Sequence, residues 1–128
     1  MHVSLTESPD VKATFHAIKL KRAHAWMFVC LNEEKDTVVV HSTGEKGQKG
    51  QEAWDAMAAT GDAPGIFIFD HANKLYKIYK CYDSLPVKAK MPIAAMNAQI
   101  KTHFDGTQKE INITEASEFT LKYFESRI

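Results

Sequence analysis

Cysteine is scarce in this chain: two residues, Cys30 and Cys81, out of 128. No Cys-x2-Cys occurs, and both cysteines lie inside apolar, strand-like runs. A disulfide framework and a zinc knuckle are therefore set aside, and reduced core thiols are expected. Long apolar runs are missing as well; none approaches the roughly 18 residues needed to span a bilayer. The segment Met1 to Asp10 lacks the basic and apolar regions of a secretory leader. A cytosolic or nuclear protein is expected, so Asn112-Ile113-Thr114 reads as a chance match to the glycosylation triplet. Nor is there an excess of charge of one sign: 16 basic residues balance 16 acidic ones. That balance speaks against a general nucleic-acid binder. Repeats, low-complexity tracts and linkers are absent, and a chain of this length holds one core rather than two. A single domain over residues 1–128 is expected.

Catalytic signatures are missing too. The six histidines, at 2, 16, 24, 41, 71 and 103, form no His-x3-His pair. Gly44, Gly47 and Gly50 lack the Lys-Ser/Thr ending of a phosphate-binding loop and read as a mobile loop. There is no G-x-S-x-G and no locally supported Cys-His pair. Glu33, Glu34 and Asp36 fall in a turn, where carboxylates are solvated. An enzyme would need a pocket with converging, perturbed titratable groups, and the sequence offers no candidate. A non-enzymatic protein with no cofactor and no metal is expected.

What is present is an alternation of helices and strands. Ser8-Pro9-Asp10 starts a helix: Ser8 caps free N–H groups, Pro9 suits the first helical position and Asp10 complements the positive helix end. Val11, Phe15 and Ile18 follow at helical spacing, and the helix stops near Lys21-Arg22. Trp26 to Leu31 reads as a buried strand, and Thr37 to His41, with Val38-Val39-Val40, as its hairpin partner. Gln51 to Ala59 reads as a short helix with Trp54, Met57 and Ala58 inward. Gly61 and Pro64 end it. Ile66 to Phe69 is a strand, Asp70 to Asn73 a tight turn, and Leu75 to Cys81 a strand with apolar residues on both sides. Val87 to Phe104 is a long helix with an inward stripe of Ile93, Met96, Ile100 and Phe104, stopped at Gly106. Glu110 to Thr114 alternates as a strand, and Glu118 to Arg127 closes the chain as a helix. The order predicts a mixed α/β fold, with a central mixed sheet of about five to six strands and helices on both faces. Between Lys74 and Lys101 lie six lysines (74, 77, 80, 88, 90 and 101) against one acid, Asp83. Such a surplus is either a solvated face or a footprint for an acidic partner.

Pro86-Val87-Lys88-Ala89-Lys90-Met91 resembles the P-V-K/R-x-K-M signature that opens the actin-binding helix of the actin-depolymerising factor (ADF)/cofilin family. Three further blocks resemble that family in the same order. They are Ile18 to Arg22, Val38-Val39-Val40 with Thr43 to Lys46, and Asp105-Gly106 with Glu110 to Glu118. The resemblance covers essentially the whole chain and implies the ADF-homology fold. It also implies an actin-binding protein that binds monomers and filament subunits, favouring ADP-actin, and promotes filament disassembly. For actin monomers it implies Val3, Ser4, Lys88, Lys90, Met91, Ala94, Ala95 and Ala98. The lysines would meet acidic actin side chains, Met91 would supply a flexible apolar contact, and the alanines would allow close approach. For filaments it implies Lys74, Lys77, Lys122, Glu125 and Arg127. The implied protein is monomeric, cytoplasmic and cytoskeleton-associated, with access to the nucleus. Phosphoinositides would compete for the basic stretch. A diverged, coactosin-like member would instead bind filaments without depolymerising them.

Several positions depart from the family pattern. Pro92-Ile93 replaces an apolar-aromatic pair, with Pro92 expected in the tolerated first helical turn. His2-Val3 replaces Gly-Val, with no serine before it, so regulation by N-terminal phosphorylation is not expected. Lys80 replaces a late strand tryptophan. The hairpin Asp70 to Lys74 lacks a longer projecting loop, which implies weakened filament decoration and severing.

Overall fold

A computed structural model describes residues 5–128 of the chain. Val3 and Ser4 lie outside the described residues. The elements run β1 (Thr6–Glu7), α1 (Pro9–Lys21), β2 (Trp26–Leu31), β3 (Thr37–Thr43), α2 (Gly50–Ala58), β4 (Gly65–His71), β5 (Lys74–Lys80), α3 (Val87–Ile100), β6 (Glu110–Ile113) and α4 (Leu121–Arg127). The strands form one six-stranded sheet in the order β1-β3-β2-β4-β5-β6. The central pairings are antiparallel, while β1 joins β3 and β6 joins β5 in parallel. The mixed sheet is as expected. β1 was not anticipated, because two residues are too few to show a period.

The sheet is covered on both faces. Val11, Phe15 and Ile18 of α1 join Ile93, Met96 and Ile100 of α3 and Phe104 against one face. Ala53, Trp54 and Met57 of α2 join Phe124 of α4 against the other. Both inward stripes of α1 and α3 fall as their spacing predicts. In α2 the third inward residue is Ala53, not Ala58, which is exposed. Ala53 lies one turn before Met57, whereas Ala58 follows it by one position and points away.

Local chemistry sets the boundaries. Ser8 caps α1, its Oγ accepting from the Asp10 N–H at 3.3 Å. Arg22 ends α1 in the left-handed conformation, and its N–H turns back to the Ile18 carbonyl. The β4–β5 turn narrows to Ala72-Asn73, both with positive φ (52° and 66°), and His71 pairs directly with Lys74. That is the geometry of a two-residue hairpin turn. At the C-terminal end the expected single helix is divided. A 3₁₀ turn, Ala116–Glu118, precedes α4. Thr120 then caps α4, accepting from the Tyr123 N–H at 3.1 Å. An extended capping threonine cannot sit inside a helix, so α4 starts only at Leu121.

The Gly44 segment is anchored where it was expected to be mobile. The Gly44 N–H donates to the Trp26 carbonyl at 2.8 Å. A Cβ at position 44 would lie 2.2 Å from the Trp26 indole nitrogen. The indole N–H in turn donates to Gln48 Oε1 at 3.2 Å. Glycine is therefore required at 44 for close approach of backbone to ring.

Candidate interaction surface

α3 carries two unlike faces. Ile93, Met96 and Ile100 point into the core. The opposite side presents Val87, 64% exposed, and Met91, 67% exposed, one turn apart. Lys88 lies beside them, and Ala94, Ala95 and Ala98 continue along exposed helix surface. An apolar ridge with small residues behind it and an ammonium at its edge is unusual on a solvated helix. Lys90 is half-buried, and its Nζ donates to the Asp83 carbonyl at 3.3 Å. The sequence reading of α3 needs one correction. Pro92 lies inside the helix rather than in its first turn. It has no N–H to offer the Lys88 carbonyl one turn earlier, so that carbonyl is released at the exposed side.

A second surface lies on the other face of the sheet. Phe124 anchors α4 against His71 and Tyr76, at ring-centroid distances of 5.3 Å to each. Those two residues flank the hairpin tip, so Lys74 is brought near α4, where Lys122, Glu125 and Arg127 are exposed. The Arg127 guanidinium sits 4.8 Å above the Tyr123 ring. Arg22 straps the tip, with Nη1 at 3.1 Å from Asp70 Oδ1 and Nη2 donating to the Asn73 carbonyl at 3.0 Å. Burial pushes the Asp70 carboxyl up, and the Arg22 charge works against that shift.

Lys77 does not belong to this surface. It is buried, and its ammonium pairs with Glu110 at 3.2 Å. Strand alternation puts it on the Leu75 side of β5, across the sheet from α4. Lys80 is removed from the surface too: it is fully buried under the α2 and α4 layer. Its Nζ donates to the Gly61 carbonyl at 2.7 Å and lies 5.0 to 5.9 Å from the rings of Phe28, Phe67, Tyr82 and Phe119. The lysine surplus read along the chain is therefore divided. Lys88 and Lys90 go with α3, Lys101 with the 3₁₀ turn Lys101–His103 that follows it, Lys74 with the hairpin tip, and Lys77 and Lys80 are interior.

A groove of about 310 Å³ runs between α3 and the β5–β6 edge, lined by Tyr79, Cys81, Asp83, Lys90 and Ala94 among others. Burial raises the Cys81 thiol, Lys90 offsets this only in part, and the Tyr79 hydroxyl is raised as well. Both groups are held in their neutral forms, the opposite of an activated nucleophile. Cys30 and Cys81 are free thiols, Cys30 buried and Cys81 half-buried. Among the described residues no cluster of three or more metal-ligating side chains occurs, and no helix is long and apolar enough to cross a membrane.

Residues 4–128 match the family model of the cofilin/tropomyosin-type actin-binding proteins. The chain belongs to this family. Among curated cofilin-type relatives, actin-depolymerizing factor 1 of Arabidopsis thaliana is 30% identical over 92% of this chain and 90% of its own length. Actin-depolymerizing factor 3 of the same plant is 28% identical over the same shares. Among solved cofilin-type structures, Plasmodium berghei actin depolymerization factor 2 superposes with a TM-score of 0.87 at 16% identity. It matches all of this chain and 98% of its own. Streptomyces griseoflavus cofilin gives 0.83 at 20% identity, over 97% and 96%. At those identities the structures establish the ADF-homology fold, as the resemblance implied.

Proposed function

We propose that this protein binds actin through the exposed face of α3, takes up ADP-actin monomers and filament subunits, and promotes filament disassembly without covalent chemistry. The observation that carries the reading is the uncovered Val87–Met91 ridge beside Lys88, followed by Ala94, Ala95 and Ala98. An exposed apolar strip flanked by charge suits a cleft with an apolar floor and acidic walls. Disassembly then follows from preferential binding to one actin state. The surface of Lys74, Lys122, Glu125 and Arg127 is the filament contact in this reading. The two-residue turn leaves it little reach, so filament decoration and severing are weak. Anionic phosphoinositide head groups compete for Lys88, Lys90 and Lys101, an effect that salt reduces. The protein acts as a monomer in the cytoplasm at the cytoskeleton.

Co-sedimentation with filamentous actin tests the reading. A rise in soluble actin with little of this protein in the pellet supports it. Protein that pellets with unchanged soluble actin makes it a coactosin-like filament binder. No response of either protein refutes actin binding.

A further inference from the structure

β6 ends the sheet, and its outer side is open. It pairs with β5 alone, in parallel, from Lys77 opposite Glu110 to Lys80 opposite Ile113. The Lys77 N–H donates to the Lys109 carbonyl and the Cys81 N–H to the Ile113 carbonyl, each at 3.0 Å. In a parallel ladder a residue turns both of its backbone groups to the same neighbour, and the next residue turns them away. Ile111 and Ile113 therefore face β5, while Glu110 and Asn112 turn their N–H and C=O groups outward. Among the described residues none of these four groups has a backbone partner, and both residues are exposed. Unpaired donors and acceptors on a sheet edge are a template for another strand.

Two grooves flank this edge, one on each face of the sheet, and Asn112 lines both. Side chains alternate along β6. Glu110 and Asn112 lie on the α3 side, where Glu110 meets Lys77, and Ile111 and Ile113 lie on the α4 side. The α3-side groove is the one lined by Tyr79, Cys81 and Ala94. Its hydroxyl and thiol are neutral, and Lys90 and Asp83, which also line it, are opposite in charge. It suits an uncharged side chain. The α4-side groove, of about 300 Å³, is lined by Ile111, Tyr123 and Arg127. Its balance is positive. The Arg127 guanidinium lies over the Tyr123 ring, and the Lys109 ammonium reaches the Arg127 carbonyl at 3.3 Å. Glu110, the acid beside them, is already held by Lys77 at 3.2 Å.

An incoming antiparallel strand would follow the same alternation. Residues opposite Glu110 and Asn112 exchange the hydrogen bonds and point with them into the α3-side groove. The residue between them points to the α4 side, where Arg127 and Lys109 call for a carboxylate. We propose that the free edge of β6 is a strand-addition site for an extended segment of a partner protein in which apolar residues alternate with an acidic one. The site does not rest on the actin reading above.

The test uses the full chain and three short blocked peptides, followed by amide NMR. One peptide alternates valine with glutamate, one alternates valine with lysine, and one repeats the first with N-methylated valines. The valine–glutamate peptide should shift the Glu110 and Asn112 amides, slow their exchange with solvent, and bind about three- to tenfold more tightly than the lysine peptide. N-methylation should abolish binding, because it removes the donors that face the edge. Arg127→Glu should reverse the preference between glutamate and lysine. Asn112→Pro removes an outward N–H that the β5 ladder does not use, and should abolish binding too. If that variant fails to fold, the N-methylated peptide makes the same test from the other side. Glu110 and Asn112 amides that stay unmoved by every peptide, or equal binding of the N-methylated peptide, would overturn the site. An unchanged preference in Arg127→Glu would overturn the acidic specificity. A doubled mass in sedimentation equilibrium without peptide, with both amides already protected, would overturn the proposal in favour of a second copy of the chain.

Discussion

Lys80→Met should leave the protein at least as stable at neutral pH, and less stable than the unmodified chain in relative terms as pH rises. Lys80 is 0% exposed, with its ammonium over four aromatic rings and on the Gly61 carbonyl. Burial lowers its pKa from 10.5 to about 8, and the Asp62 and Cys30 charges offset this only weakly. The folded value lies below the unfolded one. Between about pH 8 and 10.5 the unfolded chain therefore binds more protons, and this group makes stability rise with pH across that window. At ~1.36 kcal/mol per pH unit, the gap sets a ceiling of roughly 3 kcal/mol on the charged form's cost. The aromatic cage opposes that cost by ~1–2 kcal/mol, leaving a net of about 1–2 kcal/mol. Methionine keeps most of the stem volume and removes the charge. Urea unfolding of both proteins at pH 7.5, 9 and 10.5 measures the difference. The raised Tyr79, Cys81 and Tyr82 groups, which lower stability at high pH, are present in both and cancel, whereas the Cys30 thiol, raised by burial and drawn back by the Lys80 charge, loses that opposing charge in the variant and adds to the difference. The unmodified protein should gain ~1–2 kcal/mol on the variant between pH 7.5 and 10.5. Parallel curves would refute the desolvation argument. A loss above ~3 kcal/mol in Lys80→Met at pH 7.5 would mean that the cage and the Gly61 bond outweigh desolvation.

Three further outcomes are expected. Met91→Glu, at an exposed position, should weaken binding to monomeric actin at least tenfold while moving the urea midpoint by less than the equivalent of ~0.5 kcal/mol; equal affinity would remove Met91 from the contact. Gly44→Ala should destabilise by about 1–3 kcal/mol, because the added methyl meets the Trp26 ring, and thermal unfolding reads this directly. Replacing Ala72-Asn73 by a longer basic loop should raise filament affinity in co-sedimentation; no gain would refute the argument that the short turn limits filament contact.

Much of the fold is legible along the chain because its signals are local. The stripes Val11-Phe15-Ile18 and Ile93-Met96-Ile100-Phe104 repeat at helical spacing, and each is buried. Ser8 and Ala72-Asn73 mark a cap and a turn through chemistry within a few residues. The exposed face of α3 is legible as well, as the complement of its buried stripe together with a motif that resembles a family. Where residues meet across long sequence separations, the chain gives no such warning. A sheet covered on both faces erases the inside–outside alternation of a strand, so Lys77 and Lys80 read as surface charges although one is paired with Glu110 and the other caged by rings. A two-residue strand carries no period, so β1 becomes visible only where β3 and Gln99 hold it. The grip of Gln99 on Leu5 and the seat of Gly44 against Trp26 are contacts of this kind. Periodicity records how a segment meets its immediate neighbours, whereas the partner of a buried ammonium or an orphan amide is set by how distant segments pack.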